Sequence, residues 1–244
     1  MSANSSASSV AGRPRRTPQN PGPRALSNLD TVLLAFDTAT PYVTVALHDG
    51  EDVVAEHRSE QPMKHGEQLA PLIERVLTEA GIVRQDLTAI AVGVGPGPFT
   101  GLRVGLVTAR TLGFVLEIPV YGVCSLDVVA LEAALGDGPV GREFAVATDA
   151  RRKEVYLATY DDRGGRLDGP EVVRPDDAAT DGPVAGEGAV LHPDAFPGGR
   201  PPSQPSAGWL ARAVAEELAE LHDPEPMYLR RPDAVAPGAP KRVS

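Results

Sequence analysis

The stretch Gly93-Val94-Gly95-Pro96-Gly97-Pro98-Phe99-Thr100-Gly101-Leu102-Arg103-Val104-Gly105 largely decides the fold of this chain. A strand-like segment, Leu87 to Val94, leads into it, and a helix-like segment, Leu102 to Leu116, leads out of it. Glycines at such a junction let backbone N–H groups approach a ligand or a second chain closely. Each proline restricts the residue before it, so Pro96 and Pro98 stiffen the loop. The pattern predicts either a phosphate-holding loop or an ordinary tight strand-to-helix crossover.

Two common phosphate-binding loops do not match this stretch. A P-loop needs Lys and then Ser or Thr directly after its last glycine, whereas Leu102 and Arg103 follow Gly101. The dinucleotide fingerprint needs two residues between its second and third glycines, but three separate Gly97 from Gly101. The sequence therefore supports neither a P-loop NTPase nor a dehydrogenase.

Composition sets limits on the class of protein. The chain has 244 residues, enough for one large domain or two small ones. Its single cysteine, Cys124, cannot form an internal disulfide, which is typical of a reducing compartment, and we expect a cytoplasmic protein. No apolar run has the length of a bilayer span, so no membrane association is expected. The formal net charge of −10 repels polyanions, so a more basic partner is expected to hold any nucleic acid.

Hydrophobic periodicity predicts alternating strands and helices. The predicted strands are Val32–Phe36, Tyr42–His48, Val53–His57, Ala89–Val94, Pro119–Val123, Phe144–Asp149 and Val155–Tyr160. The predicted helices are His65–Glu79, Leu102–Leu116, Leu126–Leu135 and Trp209–Leu221. Residues 161–206 are rich in Gly, Pro and Asp, so long loops are expected there. This order indicates an α/β layer arrangement.

The chain divides into four segments by composition. Residues 1–28 are poor in large apolar side chains and are predicted to form a disordered extension. Residues 29–136 are predicted to form an N-terminal unit, and residues 137–235 a second unit that is reduced and loop-rich. Residues 236–244 are expected to fray.

Four segments, in order along the chain, carry a family resemblance. The glycine-rich stretch Gly93 to Gly105 closely resembles the signature of the TsaB family, whose members serve the biosynthesis of threonylcarbamoyladenosine in tRNA. Leu34 to Thr40, Asp149 to Tyr156 and Pro226 to Ala234 resemble the family's N-terminal, central and C-terminal motifs. The resemblance extends from about residue 31 to residue 235.

The resemblance implies a fold and a role. The fold would be two ribonuclease-H-like units of the actin, sugar kinase and Hsp70 superfamily. The chain would be a non-catalytic relative of TsaD that forms a heterodimer with TsaD, joined by the ATPase TsaE. The complex would make N6-threonylcarbamoyladenosine next to the anticodon of tRNAs that read codons beginning with A. Contact with tRNA would be indirect, through the complex, and the chain alone could form a homodimer.

The superfamily resemblance also implies an alternative, an ATP-dependent small-molecule kinase or ATPase. In that class the residues that end the first strand and the glycine loop contact the nucleotide. The corresponding candidates here are Asp37, Thr38, Gly95, Gly97, Thr100 and Gly101. A turn stabilised by Asp and Thr side chains explains the same residues without a ligand. No cofactor is expected to be required, although ATP or ADP binding stays open.

His65 bears on whether the chain is an enzyme. TsaD relatives place two histidines four residues apart on a helix, where both rings reach one metal ion. Here Leu69 stands four residues after His65, so neither a metal site nor a catalytic residue is expected. We interpret His65 as a surface or interface residue. The candidates for a partner interface on the two helices are His65, Leu69, Leu72, Arg103, Val107 and Arg110.

Two further features suit either a partner or plain structure. The helix Leu102 to Leu116 is apolar around most of its circumference, which predicts burial on all sides, partly by another chain. The segment Asp149 to Glu154 places opposite charges just before a strand. This pattern suits either a polar rim that contacts a partner or a solvated hairpin turn. Tyr228 to Arg231 could anchor the tail or contact a partner.

Overall fold

Two five-stranded sheets form the framework of the protein, in a computed structural model that describes residues 31–230. The predicted disordered extension 1–28 and the predicted frayed tail 236–244 lie outside the described residues. The α/β class with two sheets is confirmed.

The first sheet has the strand order β3-β2-β1-β4-β5. Its strands are β1 (Leu33–Asp37), β2 (Thr44–His48), β3 (Val53–Arg58), β4 (Ala89–Gly95) and β5 (Val120–Cys124). The first three pair antiparallel, β4 pairs parallel with β1, and β5 pairs parallel with β4. Every residue of β1, β2, β4 and β5 is buried, as expected for strands that are covered on both faces.

Helices cover both faces of the first sheet. On one face, α1 (His65–Ala80) packs mainly against β2 and β3, and α2 (Phe99–Leu116) packs mainly against β4 and also against β1. On the other face, α5 (Ala207–Ala215) and α3 (Ser125–Leu135) pack against the alternate residues of the same strands and of β5. Because successive side chains of a strand point to opposite faces of the sheet, each strand contributes residues to the core on both faces.

The second sheet repeats the topology of the first on a smaller scale. Its order is β10-β9-β6-β7-β8, with β6, β7 and β8 antiparallel and β9 and β10 parallel to β6. The strands are β6 (Phe144–Asp149), β7 (Val155–Tyr160), β8 (Arg166–Val173), β9 (Val184–Ala185) and β10 (Gly199–Arg200). The short helix α4 (Glu187–Leu191) packs on one face. In this topology β6 is the counterpart of β1.

Helix α3 lies between the two sheets. Leu126, Val129 and Ala130 pack against the second sheet, whereas Val128 and Leu131 pack against the first. A helix apolar on all sides is expected to be buried on all sides, and α3 is. Because α5 follows the second sheet in sequence but covers the first, residues from both predicted units build one sheet's core. The boundary near residue 136 stays a prediction.

One prediction of secondary structure is wrong. The helix predicted at Trp209–Leu221 ends at Ala215, because Glu217 takes a left-handed conformation (φ 55°) and Leu218 N donates to Ala213 O at 3.0 Å, which closes the helix as a Schellman motif. More than half of residues 161–206 lie outside helices and strands, as expected, although β8, β9, α4 and β10 also lie there. β9 and β10 have only two residues each, which is too short for an alternating apolar pattern, so they could not be predicted from the sequence.

Candidate functional site

The turn that follows β1 lies directly against the glycine loop and the start of α2. Asp37, at the end of β1, is buried, and its Oδ1 accepts a hydrogen bond from Ala39 N at 2.6 Å. Its Oδ2 accepts one from Ser125 Oγ at 2.5 Å. Burial raises the pKa of Asp37, and the hydrogen bonds from Ser125 and Ala39 oppose that rise only in part. Both carboxylate oxygens are therefore engaged within the chain.

The first glycines of the loop are required by this turn. A Cβ added at Gly93 would lie 1.8 Å from Asp37 Oδ2, and one added at Gly97 would lie 2.3 Å from Ala39 O. Real Cβ atoms do not approach other atoms so closely, so only glycine fits at either position. Gly95 has φ 95°, a conformation that also favours glycine.

The glycines at the start of α2 contact the next residue of the turn. Thr38 Oγ1 donates to Gly101 O at 2.8 Å. A Cβ at Gly101 would lie 2.4 Å from Thr38 O, and one at Gly105 would lie 2.4 Å from Thr38 Oγ1. A phosphate approaching these glycines would have to displace the turn. The contacts favour the interpretation of the loop as a close-packed crossover, and nucleotide binding stays a prediction.

Helix α2 begins three residues earlier than predicted, at Phe99. Thr100 and Gly101 therefore belong to its first turn. Of the candidates for nucleotide contact, Thr100 alone is exposed, whereas Asp37, Thr38, Gly95 and Gly101 are buried and Gly97 is half-buried.

His65 is buried, so its interpretation as a surface residue is wrong. Its side chain is held inside because Nε2 donates to Thr40 O at 2.7 Å, and a Cβ at Gly101 would lie 3.3 Å from the ring. Leu69 is also buried, whereas Leu72 is half-buried in the same core. Within residues 31–230 no group of three or more His, Cys, Asp or Glu side chains could hold a metal ion. The role of His65 is to fasten the turn to α1.

The outer face of α2 is open in the chain by itself, which is the face that the sequence assigns to another chain, and its burial by a partner stays a prediction. Val107, Phe114 and Val115 are 62%, 69% and 68% exposed. Arg103 and Arg110 are also exposed, and with Phe99, Val107 and Phe114 they recur at helical spacing along one stripe. We call these residues, with Val115, the α2 stripe. It contains three of the interface candidates, Arg103, Val107 and Arg110.

By length and composition, α2 is the one helix among residues 31–230 that could cross a membrane. A single helix of this kind is weak evidence, because core helices of other proteins meet the same criteria. Its buried side, with Leu102, Leu106 and Ala109, packs mainly on β4 and also on β1 and β5.

The segment 221–230, which we call the strap, connects the two sheets. It pairs with β5 through Gly122 and His222, and Met227 N then donates to Val94 O at 2.8 Å. The ring of Tyr228 stacks on Phe99 with centroids 5.3 Å apart, and the guanidinium of Arg103 covers Phe99 at 3.7 Å. The strap thus reaches the first turn of α2 and the beginning of its exposed stripe.

Sequence reasoning missed a buried polar cluster between α3 and the second sheet. Tyr160 Oη donates to Asp127 Oδ1 at 2.8 Å, and Arg166 Nη1 lies 3.5 Å from the same oxygen. Burial raises the pKa of Asp127, and burial also raises the pKa of Cys124 to about 12, so this thiol stays protonated. Nothing in the sequence signals the cluster, because Asp127 and Tyr160 are separated by 33 positions.

Comparison with known proteins identifies the family. A family model described as TsaD, tRNA N6-adenosine threonylcarbamoyltransferase, matches residues 53–188. An uncharacterized protein of Mycobacterium tuberculosis is 44% identical over 216 residues, which is 84% of this chain and 94% of that protein. The tRNA threonylcarbamoyladenosine biosynthesis proteins TsaB of Bacillus subtilis and Escherichia coli are 34% and 38% identical, over 56% and 57% of this chain. Those alignments span 58% and 59% of the two TsaB proteins.

A solved structure agrees over the whole of its chain. YeaZ from Pseudomonas aeruginosa is 30% identical, with a TM-score of 0.68, and the match covers 82% of this chain and 100% of that one. The predicted resemblance, based on four sequence motifs, is therefore confirmed by independent matches of sequence and fold. The chain belongs to the TsaB family.

Proposed function

We propose that this chain is a non-catalytic subunit that binds and activates TsaD during formation of N6-threonylcarbamoyladenosine in tRNA. The relatives from Bacillus subtilis and Escherichia coli, named for the biosynthesis of this nucleoside, support the pathway. The observation that carries the proposed role is the α2 stripe, whose apolar residues Val107, Phe114 and Val115 are each more than 60% exposed.

The absence of catalysis is supported by how the described residues are used. The carboxylate of Asp37 is engaged by Ser125 and Ala39, and the glycine loop is packed against the turn. His65 has no histidine partner four residues away, and it donates to a backbone carbonyl. Cys124 is buried and protonated, which makes it unsuitable as a nucleophile.

The α2 stripe suits a protein partner. Large exposed apolar side chains that lie side by side mark interaction sites. Here Val107, Phe114 and Val115 supply the apolar centre, and Arg103 and Arg110 supply cations that would pair with carboxylates. Burial of this stripe with the neighbouring face of α1 would reach the ~1,600 Å² of a standard interface. We assign the surface to TsaD, and TsaE would join the assembled pair. In this role the chain would require no cofactor of its own and would act in the cytoplasm.

The test is reconstitution of tRNA threonylcarbamoylation from TsaD, TsaE and the activated threonylcarbamoyl-adenylate, with and without this chain. We expect modification to depend on the chain. Val107→Asp, which puts a charge in the centre of the stripe, should abolish both TsaD binding and stimulation. Val190→Asp is the matched control, because Val190 is 68% exposed on α4, and it should preserve both.

Two results would contradict the proposal. One is modification at the same rate without the chain. The other is a Val107→Asp variant that stimulates TsaD as well as Val190→Asp does. Sedimentation of the chain alone would show whether a second copy covers the stripe when TsaD is missing, and such a homodimer should also be lost in Val107→Asp.

A further inference from the structure

The connection between β6 and β7 contains three consecutive residues in a left-handed conformation, Arg151 (φ 61°), Arg152 (φ 58°) and Lys153 (φ 61°). This conformation costs an L-residue about 1–2 kcal/mol and is normally visited by single residues, most often glycine. No glycine occurs between Asp149 and Glu154. Strained backbone persists only where surrounding structure fixes it, and it concentrates at functional sites.

The base of this hairpin is fixed from several directions. Arg151 N donates to Asp149 Oδ1 at 2.7 Å, and the Arg151 guanidinium lies 3.0 Å from Asp149 Oδ2. Glu154 N donates to Arg151 O, and Ala150 N donates to Glu154 O, both at 3.0 Å. From the strap, Arg230 donates to Ala150 O at 2.9 Å and pairs with Glu154. The anchors therefore hold the connection by its base.

The hairpin presents three consecutive cations to solvent, because the side chains of Arg151, Arg152 and Lys153 are all exposed. Arg151 Nη2 lies 3.8 Å from Met63 Sδ, and Met63 is itself left-handed, with φ 65°. Four of the six non-glycine residues with positive φ in the described chain thus lie at one place. Arg151, Arg152 and Lys153 therefore form a small basic surface on a chain whose net charge is −10.

Arg58 extends this basic surface to the first sheet. Its guanidinium lies 4.2 Å from the centre of the Tyr42 ring and donates to Gln204. Burial raises the pKa of Glu187, and the charge of Asp149 raises it further. The charge of Arg151, a hydrogen bond with Gln204 and the charge of Arg58 oppose that rise. We call Arg58, Arg151, Arg152 and Lys153 the basic tip.

We propose that the basic tip contacts the phosphate backbone of the tRNA that the assembled complex modifies, an inference that rests on the proposed function. Guanidinium groups bind phosphate oxygens bidentately, and phosphate contacts position a nucleic acid without reading its sequence. A docking protein would need a wider apolar centre than Met63 supplies. Because the net charge of −10 repels RNA elsewhere, one local contact would orient the tRNA on the complex.

The test compares two double charge reversals in the full chain. Arg152→Glu/Lys153→Glu changes the tip. Arg142→Glu/Arg163→Glu changes the charge equally at exposed positions beside the opposite ends of β6 and β7. Labelled tRNA is titrated with the complex of each variant and TsaD over a series of salt concentrations. We expect the tip variant to bind roughly tenfold more weakly at low salt, with a salt slope smaller by about 1–2, whereas the control keeps the wild-type slope.

The other possible outcomes contradict the inference, and each has a different signature in binding. Equal affinity and slope for the two variants would overturn it. Loss of TsaD binding in the tip variant, with unchanged tRNA affinity in the complex that still forms, would identify the tip as a protein contact and also overturn it. If the wild-type chain does not assemble with TsaD, the proposed function fails. In that case labelled tRNA is titrated with the chain alone, and a salt slope of the tip variant equal to that of the wild type overturns the inference.

Discussion

The connection after β1 and the connection after β6 occupy the same position in two sheets of the same topology, yet one is closed and the other is open. Each begins with an aspartate whose Oδ1 accepts the amide two residues later, Asp37 from Ala39 at 2.6 Å and Asp149 from Arg151 at 2.7 Å. After this shared turn, the first connection packs against glycines. The second projects three basic residues.

The difference shows how one motif can be used for packing or for contact. Around Asp37, four glycines remove the side chains that would otherwise keep the turn away from β4 and α2. Around Asp149, left-handed backbone angles take the place of glycine and keep the cationic side chains at the surface. The closed connection therefore stabilises the fold, and the open one leaves its basic side chains exposed.

The largest expected effect comes from opening the closed connection. Gly97→Ala puts a Cβ 2.3 Å from Ala39 O, which is backbone and cannot rotate away. We expect the free energy of unfolding to fall by about 3 kcal/mol, as for overpacked cores. Urea denaturation measures this. Gly66→Ala, where nothing lies within 4 Å of the added Cβ in α1, should instead stabilise the chain by about 1 kcal/mol. Equal effects of the two substitutions would refute the close packing.

An intermediate effect concerns the charge in the closed connection. The pKa of Asp37 is raised by burial above its value in the unfolded chain, so the folded state binds more protons between the two pKa values. The stability contributed by protonated Asp37 is present below pH 3.8 and is lost as the pH rises through the folded pKa. Relative to Asp37→Asn, the wild type should therefore become less stable as the pH rises over that range. Unfolding measured from pH 3 to 7 checks this, and a difference that does not change with pH would contradict it.

The smallest expected effect comes from relaxing the open connection. Lys153→Gly removes a side chain from a left-handed position, and we expect the free energy of unfolding to rise by about 1 kcal/mol. The matched control is Arg142→Gly, at an exposed position without positive φ, where the substitution should not stabilise the chain. If Lys153→Gly destabilises the chain as much as the control does, the strain inferred for the hairpin is absent.

The sequence was most informative where periodicity and turn residues agree. The bounds of β6 and β7 were predicted correctly, because alternating apolar residues surround the charged connection. The strand that begins at Ala89 was predicted to within one residue, and the helix after the glycine loop was predicted with the correct end at Leu116 but a start three residues too late.

Contacts between distant residues could not be predicted in this way. Ser125 and Asp37 lie 88 positions apart, and no spacing rule connects them. The sequence around a single histidine does not show whether its side chain points inwards or outwards, so the burial of His65 could not be predicted without the structure. The apolar residues Leu218 and Leu221 continue the helical period of α5, which is why the helix was predicted too long. They lie after the end of α5, at and just before the start of the strap, and pack against the core of the first sheet.

The strap and α5 have a consequence for synthesis of the protein on the ribosome. All five strands of the first sheet lie before residue 125, yet one of its faces is completed by Ala207–Ala215 and its edge at β5 by His222. The nascent sheet must therefore wait for roughly another hundred residues before its apolar face is covered. A fragment that stops at residue 136 should aggregate, and ribosome-bound chains of that length should depend on a holding chaperone.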